Sequence, residues 1–536
     1  MYQCKKCGGN VRFDIEEQML KCDYCNELLD PYGVEKEVDA SASVYGANVF
    51  TCPQCGAQLL SEDTAAADFC SYCGASTILT SRVSKKRKPD IIIPFKKTKE
   101  ECKQLFSEKM KKAIFAPNEL RDKDALEGFR GIYMPYWSYN VSQKKDLRLN
   151  GLVDSEVYAT GYYYRQTALL TGKLDAEYSG IAHDSSSAFR DDISERIAPF
   201  SIEDGKPFTP SYLSGFYADV DDVSFQTYEN EVRQIANNRT FEYLMEQGDS
   251  KMYGLSVKPS EMDKSFGTEV KSQNRAMFPV WFMAFRKGNR VAYATVNGQT
   301  GKVASDMPVD YGKFAIGTAI VSVLLFLIFN MFFTFKPEAA LLVASLLTLV
   351  SAFIYNRELD EIIVKDNSLD DRGFLYKISK LANYVRPKSK KKEKLEFDKG
   401  DIILLLFGVV MPVLLLYLVI FMCDADILGA FRTFQMEVYL TVFVIMLILL
   451  VSVFKKIKRL TEKKFFGFGC FVLFMFVSLV LFIWNPVSDI YYYIGIAVAL
   501  LATLGGTVSV IGYYNVLSTR KLPQFDTHKG GDDDAF

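Results

Sequence analysis

Two sets of four cysteines at identical intervals constrain this chain more than any other feature of its sequence. Each set reads C-x-x-C, fourteen residues, C-x-x-C, and the second set begins 48 residues after the first. The eight members are, in order, Cys4, Cys7, Cys22, Cys25, Cys52, Cys55, Cys70 and Cys73. An identical spacing that repeats in tandem indicates the duplication of one small unit.

The spacing is typical of a tetrahedral metal site made of four thiolates. Two residues between cysteines allow a tight turn to direct both sulfur atoms at one ion, and two such turns complete a shell that suits zinc. The residue after each second cysteine is of a type that tolerates a left-handed backbone, namely Gly8, Asn26, Gly56 or Gly74. Disulfides and chance spacing are the alternatives. We predict two structural zinc ions per chain, because four protein ligands leave no open position for catalysis.

The whole chain is predicted to be multidomain, with tandem zinc ribbons of small β type, a cytosolic α+β domain and an α-helical membrane domain of six transmembrane helices. Its 536 residues give room for several domains. The predicted divisions are zinc ribbon 1 (1–30), a linker (31–47), zinc ribbon 2 (48–80), a basic linker (81–99), the α+β domain (89–312), a transmembrane hairpin (313–355), a basic cytosolic loop (356–400), four transmembrane helices (401–515) and an acidic cytosolic tail (516–536).

The use of cysteine indicates a reducing compartment. Eight of the eleven cysteines belong to the two sets, and the other three (Cys102, Cys423 and Cys470) are scattered, so that no disulfide framework is expected. The first residues contain no apolar run that could serve as a secretory signal. We therefore expect a cytosolic N-terminal part whose membrane insertion is directed by later segments.

Charge distinguishes the two kinds of partner that a zinc ribbon commonly binds. Residues 1–30 hold four basic and six acidic residues, and residues 50–80 hold three acidic residues and no basic one. Binding to duplex nucleic acid depends on Lys and Arg that neutralise phosphates, so protein docking is the better prediction for both ribbons. Eight basic residues and one acid lie between Arg82 and Lys99. This stretch is either a solvated linker or a patch for anionic lipid or nucleic acid.

Residues 89–312 alternate between helical and strand-like patterns. Helices are predicted from Lys99 to Phe115 and from Tyr228 to Gln247, and a hairpin is predicted from Met277 to Val296. Trp137 and Trp281 are each the last residue of a P-x-W sequence. Two independent core tryptophans are the favoured interpretation, and a duplicated strand unit is the alternative.

No catalytic constellation is evident in this region, and we predict no enzymatic activity. His183 precedes an Asp and a Ser, but adjacent residues do not form a triad, and we expect an exposed loop there. The acidic stretch from Asp184 to Glu231 is predicted to be a solvated face, because its aspartates lack the Gly of a calcium loop.

Six apolar runs follow, each long enough to cross a bilayer as a helix. They cover residues 314–335, 339–355, 402–423, 438–454, 465–484 and 490–514, and none contains an ionisable Asp, Glu, Lys, Arg or His. Transporters and proton pumps usually carry such a residue in a span, so an anchoring role is favoured. Small residues in the last run, among them Gly495 and Gly505, favour close helix packing.

The loops between these runs predict that both termini lie in the cytoplasm. Segments 356–400, 455–464 and 516–536 carry twelve, six and three Lys or Arg, whereas the segments on the other side carry one, one and none. This is a strong positive-inside bias. We predict a multi-pass protein of the cell membrane, with the run Lys388–Lys394 near the inner leaflet.

The combination of motifs resembles a bacterial family of TFIIB-type zinc-ribbon membrane proteins. The resemblance rests on the paired cysteines, on Ile93-Pro94-Phe95, on the segment from Gly131 to Trp137 and on the terminal spans. Members are often labelled PriA-like or RNA-polymerase-subunit-like. The chain has no G-x-x-x-x-G-K-[ST] loop, so helicase activity is not expected. The resemblance implies a setting in the bacterial cell envelope and no catalytic residues.

Three functions are compatible with these features. The favoured one is a non-enzymatic membrane scaffold that docks proteins at the cytoplasmic face, and envelope-stress or flotillin-like assemblies are the kind of partner that suits it. The second is a membrane tether for nucleic acid, which the acidic ribbons disfavour. The third is a channel or transporter gated by the cytosolic domain.

Overall fold

The structure is a computed structural model of the chain. It describes residues 2–34, 44–61, 70–75, 80–122, 126–157, 162–247, 255–288, 290–332, 337–366, 428–460, 463–484 and 486–521. Every structural feature below belongs to these residues.

The described residues form sixteen strands in two sheets. The strands are β1 (Val11–Asp14), β2 (Met19–Cys22), β3 (Leu28–Leu29), β4 (Val44–Thr51), β5 (Gln58–Ser61), β6 (Thr80–Arg87), β7 (Ile91–Ile92), β8 (Arg130–Val157), β9 (Tyr162–Asp184), β10 (Lys206–Pro207), β11 (Tyr217–Asp219), β12 (Leu255–Ser256), β13 (Thr268–Lys287), β14 (Arg290–Asn297), β15 (Val303–Ser305) and β16 (Arg520–Lys521). The first three form a small sheet, and the others form a large one with the path β10-β7-β13-β8-β11-β5-β4-β6. Strands β9, β12, β14, β15 and β16 pair outside this path.

Nine α-helices are present in the same residues. They are α1 (Lys99–Lys112), α2 (Asp191–Ile197), α3 (Glu229–Gln247), α4 (Pro259–Phe266), α5 (Tyr311–Phe332), α6 (Pro337–Asp366), α7 (Leu428–Ile457), α8 (Phe466–Trp484) and α9 (Asp489–Leu517). The predictions of α1, of α3 and of the β13–β14 hairpin are confirmed. A capping box fixes the start of α1, because Thr98 and Glu101 satisfy each other's backbone N–H groups.

Both cysteine-rich segments are built into the large domain. The β1–β3 sheet is held by hydrogen bonds from the Phe13 N–H to the Ser214 carbonyl (3.0 Å) and from Ser211 Oγ to the Pro31 carbonyl (2.7 Å). The second segment supplies β4 and β5, and β5 pairs with β11 of the large sheet. The stretch 81–99, expected to be a linker, contains β7 and most of β6, which pairs with β4 along its whole length. The second cysteine-rich segment is therefore one edge of the large sheet.

A local two-fold relationship links β8 and β13 in the middle of this sheet. The two strands pair antiparallel with Met134 opposite Phe278, and a P-x-W sequence follows each of these residues. Strand β11 pairs parallel with β8 at Ile132 and Tyr133, and β7 pairs parallel with β13 at the two equivalent positions before Phe278. The same register thus occurs twice, which indicates two copies of one β-α-β-β unit.

The two tryptophans occupy equivalent positions in these units. Trp137 Nε1 donates to the Val223 carbonyl (2.7 Å), and Trp281 Nε1 donates to the Lys97 carbonyl (2.8 Å). Each acceptor shortly precedes a helix, α3 in the first case and α1 in the second. Both tryptophans are buried, as predicted, and the repeated register favours the alternative of a duplicated strand unit over two independent residues.

The hairpins of the two units extend in opposite directions. Strand β8 ends at Val157, which pairs with Tyr162 at the start of β9, and β13 ends at Lys287, which pairs with Arg290 at the start of β14. These two pairs lie at opposite ends of the sheet because β8 and β13 are antiparallel. At about 3.3 Å per residue, β13 alone spans roughly 60 Å. The domain is therefore long in the direction of its strands.

The C-terminal region is helical and apolar. Two helices are long and apolar enough to cross a membrane, Ala340–Ile363 and Asp489–Leu517, and two shorter apolar helices cover Tyr311–Leu325 and Phe466–Leu481. Within the part of the chain that the structure describes, the predicted number of six is therefore not supported. The run 402–423 lies outside the described residues.

Side-chain contacts fix the directions of the helices. Ser452 Oγ and Lys456 Nζ on α7 reach Asn356 on α6, and Lys456 also pairs with Asp360 at 2.7 Å, so α6 and α7 run parallel. Helices α8 and α9 run antiparallel, because the Gly467 N–H donates to Ser509 Oγ and the Lys464 N–H donates to Tyr513 Oη.

The predicted close packing of the last apolar run is confirmed. Gly495, Gly505 and Gly506 are buried on α9. A Cβ atom at Gly505 would lie 2.5 Å from the sulfur of Cys470, and one at Gly506 would lie 2.7 Å from the ring of Phe471. Only glycine allows α8 and α9 to approach this closely.

The end of the helical region returns to the large sheet. Asn515 at the end of α9 exchanges two hydrogen bonds with the backbone of Val309, just before α5 (2.7 and 2.8 Å). Arg290 contacts the carbonyls of Val516 and Thr519, and β16 pairs with β14. The Lys287–Arg290 end of the β13–β14 pair therefore lies against the helices, and the Val157–Tyr162 end of the β8–β9 pair lies at the far end of the domain.

Two predicted divisions of this region differ from the structure. Helix α6 continues to Asp366, well into the predicted loop 356–400, because Leu359 and Ile362 are buried against neighbouring helices. The predicted tail 516–536 begins with the last turn of α9 and with β16. The lysine run at 388–394 and residues 522–536 lie outside the described part of the chain.

Candidate metal centres

The first four cysteines come together at the end of the small sheet. Cys4 Sγ lies 3.6 Å from Cys25 Sγ, and Cys7 Sγ lies 3.4 Å from both Cys22 Sγ and Cys25 Sγ. The Gly9 N–H donates to Cys7 Sγ at 3.4 Å. We call this group site 1.

The second four cysteines form an equivalent group, site 2, at the edge of the large sheet. Cys52 Sγ lies 3.7 Å from Cys73 Sγ, and Cys55 Sγ lies 3.7 Å from Cys70 Sγ. In each site the four sulfur atoms lie within 4.8 Å of one another. The structure thus brings together every cysteine that the repeated spacing predicts.

All four C-x-x-C turns have the same backbone geometry. In each, the first cysteine accepts a hydrogen bond from the residue after the second cysteine at 2.8–3.0 Å. That residue has a positive φ in every case, 73° at Gly8, 55° at Asn26, 75° at Gly56 and 69° at Gly74. The residue types read from the sequence therefore have the predicted physical cause, since a left-handed backbone strains most other residues.

The sulfur positions fit a tetrahedral ion. Four ligands about 2.3 Å from a central zinc lie roughly 3.8 Å apart, close to the separations found at both sites. A disulfide requires about 2.05 Å, and the described cysteines are free thiols. Each site can therefore hold one metal ion in a shell of four sulfur atoms, which is the donor set that zinc prefers.

The electrostatics of the two sites favour a bound cation. At site 1 the backbone N–H groups of Cys25 and Tyr24 stabilise the thiolate of Cys22 and lower its pKa to about 7. At site 2 the crowding of Cys55 by Cys52, Cys70 and Cys73 raises the pKa of the Cys55 thiol. Four thiols this close cannot all ionise unless a cation compensates their charge.

The two sites differ in burial. All four cysteines of site 2 are buried, whereas Cys7 of site 1 is exposed and Cys25 is half-buried. The contrast extends to Tyr24 and Tyr72, which occupy the same position just before the last cysteine of each site. Tyr24 is 77% exposed and Tyr72 is fully buried. One duplicated unit therefore presents its turn to solvent and the other packs it into the domain.

Tyr72 connects site 2 to the interior of the large sheet. Its hydroxyl donates to Asp219 Oδ2 at 2.6 Å, its carbonyl accepts from Tyr293 Oη at 3.0 Å, and its ring contacts Phe282. Burial raises the pKa of Asp219 to about 6, and the hydroxyls of Ser186 and Tyr72 oppose that rise. The turn from Cys70 to Cys73 is thus part of a buried hydrogen-bond network.

Two predictions for the acidic region are wrong. His183 lies on β9 and is buried, with its ring stacked on Tyr228 at 4.8 Å, instead of lying on an exposed loop. Asp184, Asp191 and Asp219 are also buried, so this stretch is not uniformly a solvated face. The three serines after Asp184 were the available signal, because short hydroxyl donors allow carboxylates to be buried.

The remaining cysteines belong to neither site. Cys102 is buried on α1, and burial raises the pKa of its thiol. Cys470 lies on α8, and Cys423 lies outside the described residues.

The sequence of the chain is similar to that of a bacterial protein. No family model matches the chain, and no solved structure matches it. The chain is 27% identical over 317 residues to the protein named Uncharacterized protein YdjG of Bacillus subtilis (strain 168). The aligned part makes up 59% of this chain and 92% of that protein. The resemblance to a TFIIB-type family therefore stays a prediction.

Proposed function

We propose that this protein is a non-enzymatic scaffold of the cell membrane that binds two structural zinc ions and docks other proteins at the cytoplasmic face. The observation that carries the proposal is the union of both four-cysteine sites with one large sheet, which is itself tied to the apolar helices through Arg290 and Asn515. A metal ion with four protein ligands stabilises the fold around it and has no open coordination position for a substrate.

Six spans with both termini in the cytoplasm are part of this proposal. Helices α6 and α7 run parallel although they follow each other among the described helices, and parallel neighbours require a crossing between them. The apolar run 402–423 has the length for that crossing. Basic residues such as Lys313, Lys456 and Lys464 lie at the helix ends that face the sheet, which supports a cytoplasmic sheet.

The docking surface that we propose is the exposed turn of site 1. In ribbon 2 the equivalent tyrosine, Tyr72, donates its hydroxyl to a carboxylate and packs on Phe282. Tyr24 has no such burial, and an exposed aromatic residue on a rigid turn is a common anchor at protein interfaces. We infer a protein partner that offers Tyr24 an acceptor and an apolar neighbour, as the domain offers them to Tyr72.

Crosslinking in intact cells, followed by recovery of the full chain from membranes, tests this function. The variant Tyr24→Ala is expected to reduce the recovered partners strongly. The matched control is Tyr243→Ala, because Tyr243 is also an exposed tyrosine (61%) but lies on α3. Partners recovered equally with both variants, and equally after loss of Cys4 or Cys52, would refute docking through the ribbons.

The basic stretch at 82–99 gives little support to a nucleic-acid tether. Lys96 pairs with Asp204 at 2.7 Å, Lys97 with Glu101 at 2.8 Å and Lys99 with Glu127 at 3.3 Å. Paired lysines offer less positive charge to phosphates. Binding of the full chain to DNA or RNA with a steep salt dependence would favour the tether instead.

A further inference from the structure

An apolar groove lies where the large domain meets the first helix of the membrane region. Its volume is about 660 Å³, and it runs between the residues after α1 and the first turns of α5. Six of the residues that line it are Ile114, Phe115, Lys313, Ile316, Ile320 and Val321. Apart from Lys313, these six are apolar.

The contacts fix the end of α1 against α5. The Asp310 N–H donates to the Phe115 carbonyl at 2.8 Å, and Lys313 Nζ donates to the Ala116 carbonyl at 2.5 Å. The ring of Phe115 packs on Phe314, and a Cβ atom at Gly317 would lie 2.9 Å from it. Phe115 therefore packs against the first two turns of α5.

These apolar side chains, one on the large domain and three on α5, are too exposed for a surface that faces only water. Ile114 is 69% exposed, and Ile316, Ile320 and Val321 are between 55% and 64% exposed. A contiguous exposed apolar patch of this kind marks a surface that something covers. Residues 311–321 rise roughly 15 Å along the helix axis, which is enough to pass from the headgroups into the acyl region.

The charges beside the groove identify what covers it. Lys111 and Lys112 are exposed and are separated from the apolar pair Ile114-Phe115 only by Ala113, and Lys313 lies on the opposite wall. The nearby acids are engaged elsewhere, since Asp310 accepts from the Lys313 N–H at the start of α5 and Glu119 pairs with Lys287. Positive charge above an apolar wall is complementary to an anionic phospholipid.

We propose that this groove binds an anionic phospholipid of the cytoplasmic leaflet, with Ile114 and Phe115 against its acyl chains and Lys111, Lys112 and Lys313 near its phosphate. The proposal rests on the membrane anchoring of α5 in the proposed function. It adds a second attachment of the large domain to the membrane, independent of the covalent link through Val309. The bound lipid orients the domain on the bilayer surface.

The test uses the full chain in lipid nanodiscs with phospholipids brominated in their acyl chains, which quench tryptophan fluorescence at short range. All variants carry Trp484→Phe, because Trp484 lies on α8 and is 58% exposed. The Trp484→Phe protein without a reporter gives the signal of the buried Trp137 and Trp281, and this signal is subtracted from that of each variant. Ile114→Trp reports on the groove, and Ile320→Trp reports on the insertion of α5. Tyr243→Trp is the control, because α3 is bound at the Thr268 end of β13, far from the turn that meets the helices.

The expected result is strong quenching of Ile114→Trp and Ile320→Trp and none of Tyr243→Trp. Brominated phosphatidylglycerol is expected to half-quench Ile114→Trp at roughly a tenth of the mole fraction needed with phosphatidylcholine, since each nearby lysine favours anionic lipid. Replacing Lys111 and Lys112 by Gln should remove that preference.

Two outcomes overturn the inference in distinguishable ways. Quenching of Ile320→Trp without quenching of Ile114→Trp, or equal quenching of Ile114→Trp by both lipids, contradicts the lipid site and leaves the anchoring intact. Absence of quenching from both reporters contradicts the anchoring itself and removes the basis of the lipid site.

Discussion

Cys7 and Cys55 occupy the same position in two copies of one four-cysteine unit, yet their surroundings differ. Cys7 is exposed at the end of a three-stranded sheet, whereas Cys55 is buried against a core that includes Ile132 and Phe282. The two residues are therefore equivalent as possible metal ligands, but the loss of each should affect the fold differently because their packing differs.

We predict that Cys7→Ser and Cys55→Ser each remove one zinc ion but differ in their effect on the fold. Cys7→Ser should leave the strand pairing of the large sheet intact, because Cys7 is exposed and no strand of the large sheet carries a cysteine of site 1. Cys55→Ser should unfold the domain, since structural zinc contributes on the order of 10 kcal/mol, comparable with the stability of a whole domain. Metal content together with limited proteolysis of the full chain distinguishes the two. Equal protease sensitivity of both variants would show that the sites do not differ as their burial indicates.

The hydroxyl of Tyr72 gives a second prediction. Tyr72→Phe keeps the ring but removes a donor from buried Asp219, which should cost about 1–3 kcal/mol of unfolding free energy. Tyr24→Phe is the matched control at the same position of the other ribbon and should change stability little, because Tyr24 is exposed. Denaturant unfolding of the detergent-solubilised protein measures both. A neutral Tyr72→Phe would mean that this hydrogen bond does not contribute to stability.

The spacing of the cysteines was sufficient to predict that they converge in two groups of four, but not what surrounds each group. A C-x-x-C turn is local, so its geometry and its left-handed residue can be read from a few letters. The burial of Tyr72, by contrast, depends on Asp219 and Phe282, which are distant in sequence and approach only through the sheet. No local pattern carries that information.

The β-α-β-β unit accounts for the relative positions of the central strands and of the helices that precede them. Met134 and Phe278 are paired at the centre of the local two-fold symmetry. Each of the long strands β8 and β13 also pairs in parallel with a short strand of the other unit. Each tryptophan then binds the carbonyl before the helix of the opposite unit. The two units therefore exchange equivalent contacts across their boundary.

Equivalent contacts predict equivalent energies. Trp137→Phe and Trp281→Phe should each lower the unfolding free energy by roughly 2 kcal/mol, because each loses an indole N–H donor and some packing volume. Trp484→Phe should be nearly neutral in the same assay, since Trp484 is exposed on α8. Far-ultraviolet circular dichroism during denaturation follows the sheet in all three variants. A large effect at only one of the two strand tryptophans would contradict the equivalence of the units.

Helices and hairpins of the large domain were readable from the sequence, and the arrangement of the strands was not. The apolar spacing on α1 and the turn after Lys287 are short-range signals, and both predictions were correct. Strand β6 pairs with β4 although the second set of cysteines lies between them in the sequence, and the basic residue Arg87 is thereby paired with Val44. Charged residues are tolerated there because β6 is at the end of the sheet path.

The molecule as a whole is organised between two ends. At one end the turn of β13 and β14 meets the close of α9 through Arg290, and at the other the β8–β9 hairpin extends away from the helices. Site 2 lies near the helices. Arg286, at the end of β13, donates to the side chain of Gln54 at 3.1 Å, and Gln54 lies between Cys52 and Cys55. Site 2 therefore lies at the end of the large sheet that contacts the helices.

The direction of the helices predicts the membrane topology. Alkaline phosphatase, which is active only outside the cytoplasm, should be active when fused between α5 and α6 or at Ser488 between α8 and α9. It should be inactive when fused at Lys458 between α7 and α8, where basic residues favour the cytoplasm. Fusions of a fluorescent protein that folds only in the cytoplasm provide the reciprocal control. Activity at Lys458 would reverse the proposed orientation.

The most direct test of the scaffold is the metal content of the purified full-length protein. We predict two zinc ions per chain and eight protected thiols among the cysteines of sites 1 and 2, with site 1 releasing its ion to a chelator first because Cys7 is exposed. Fewer than two ions per chain, with all eight of these thiols free to react, would contradict the account.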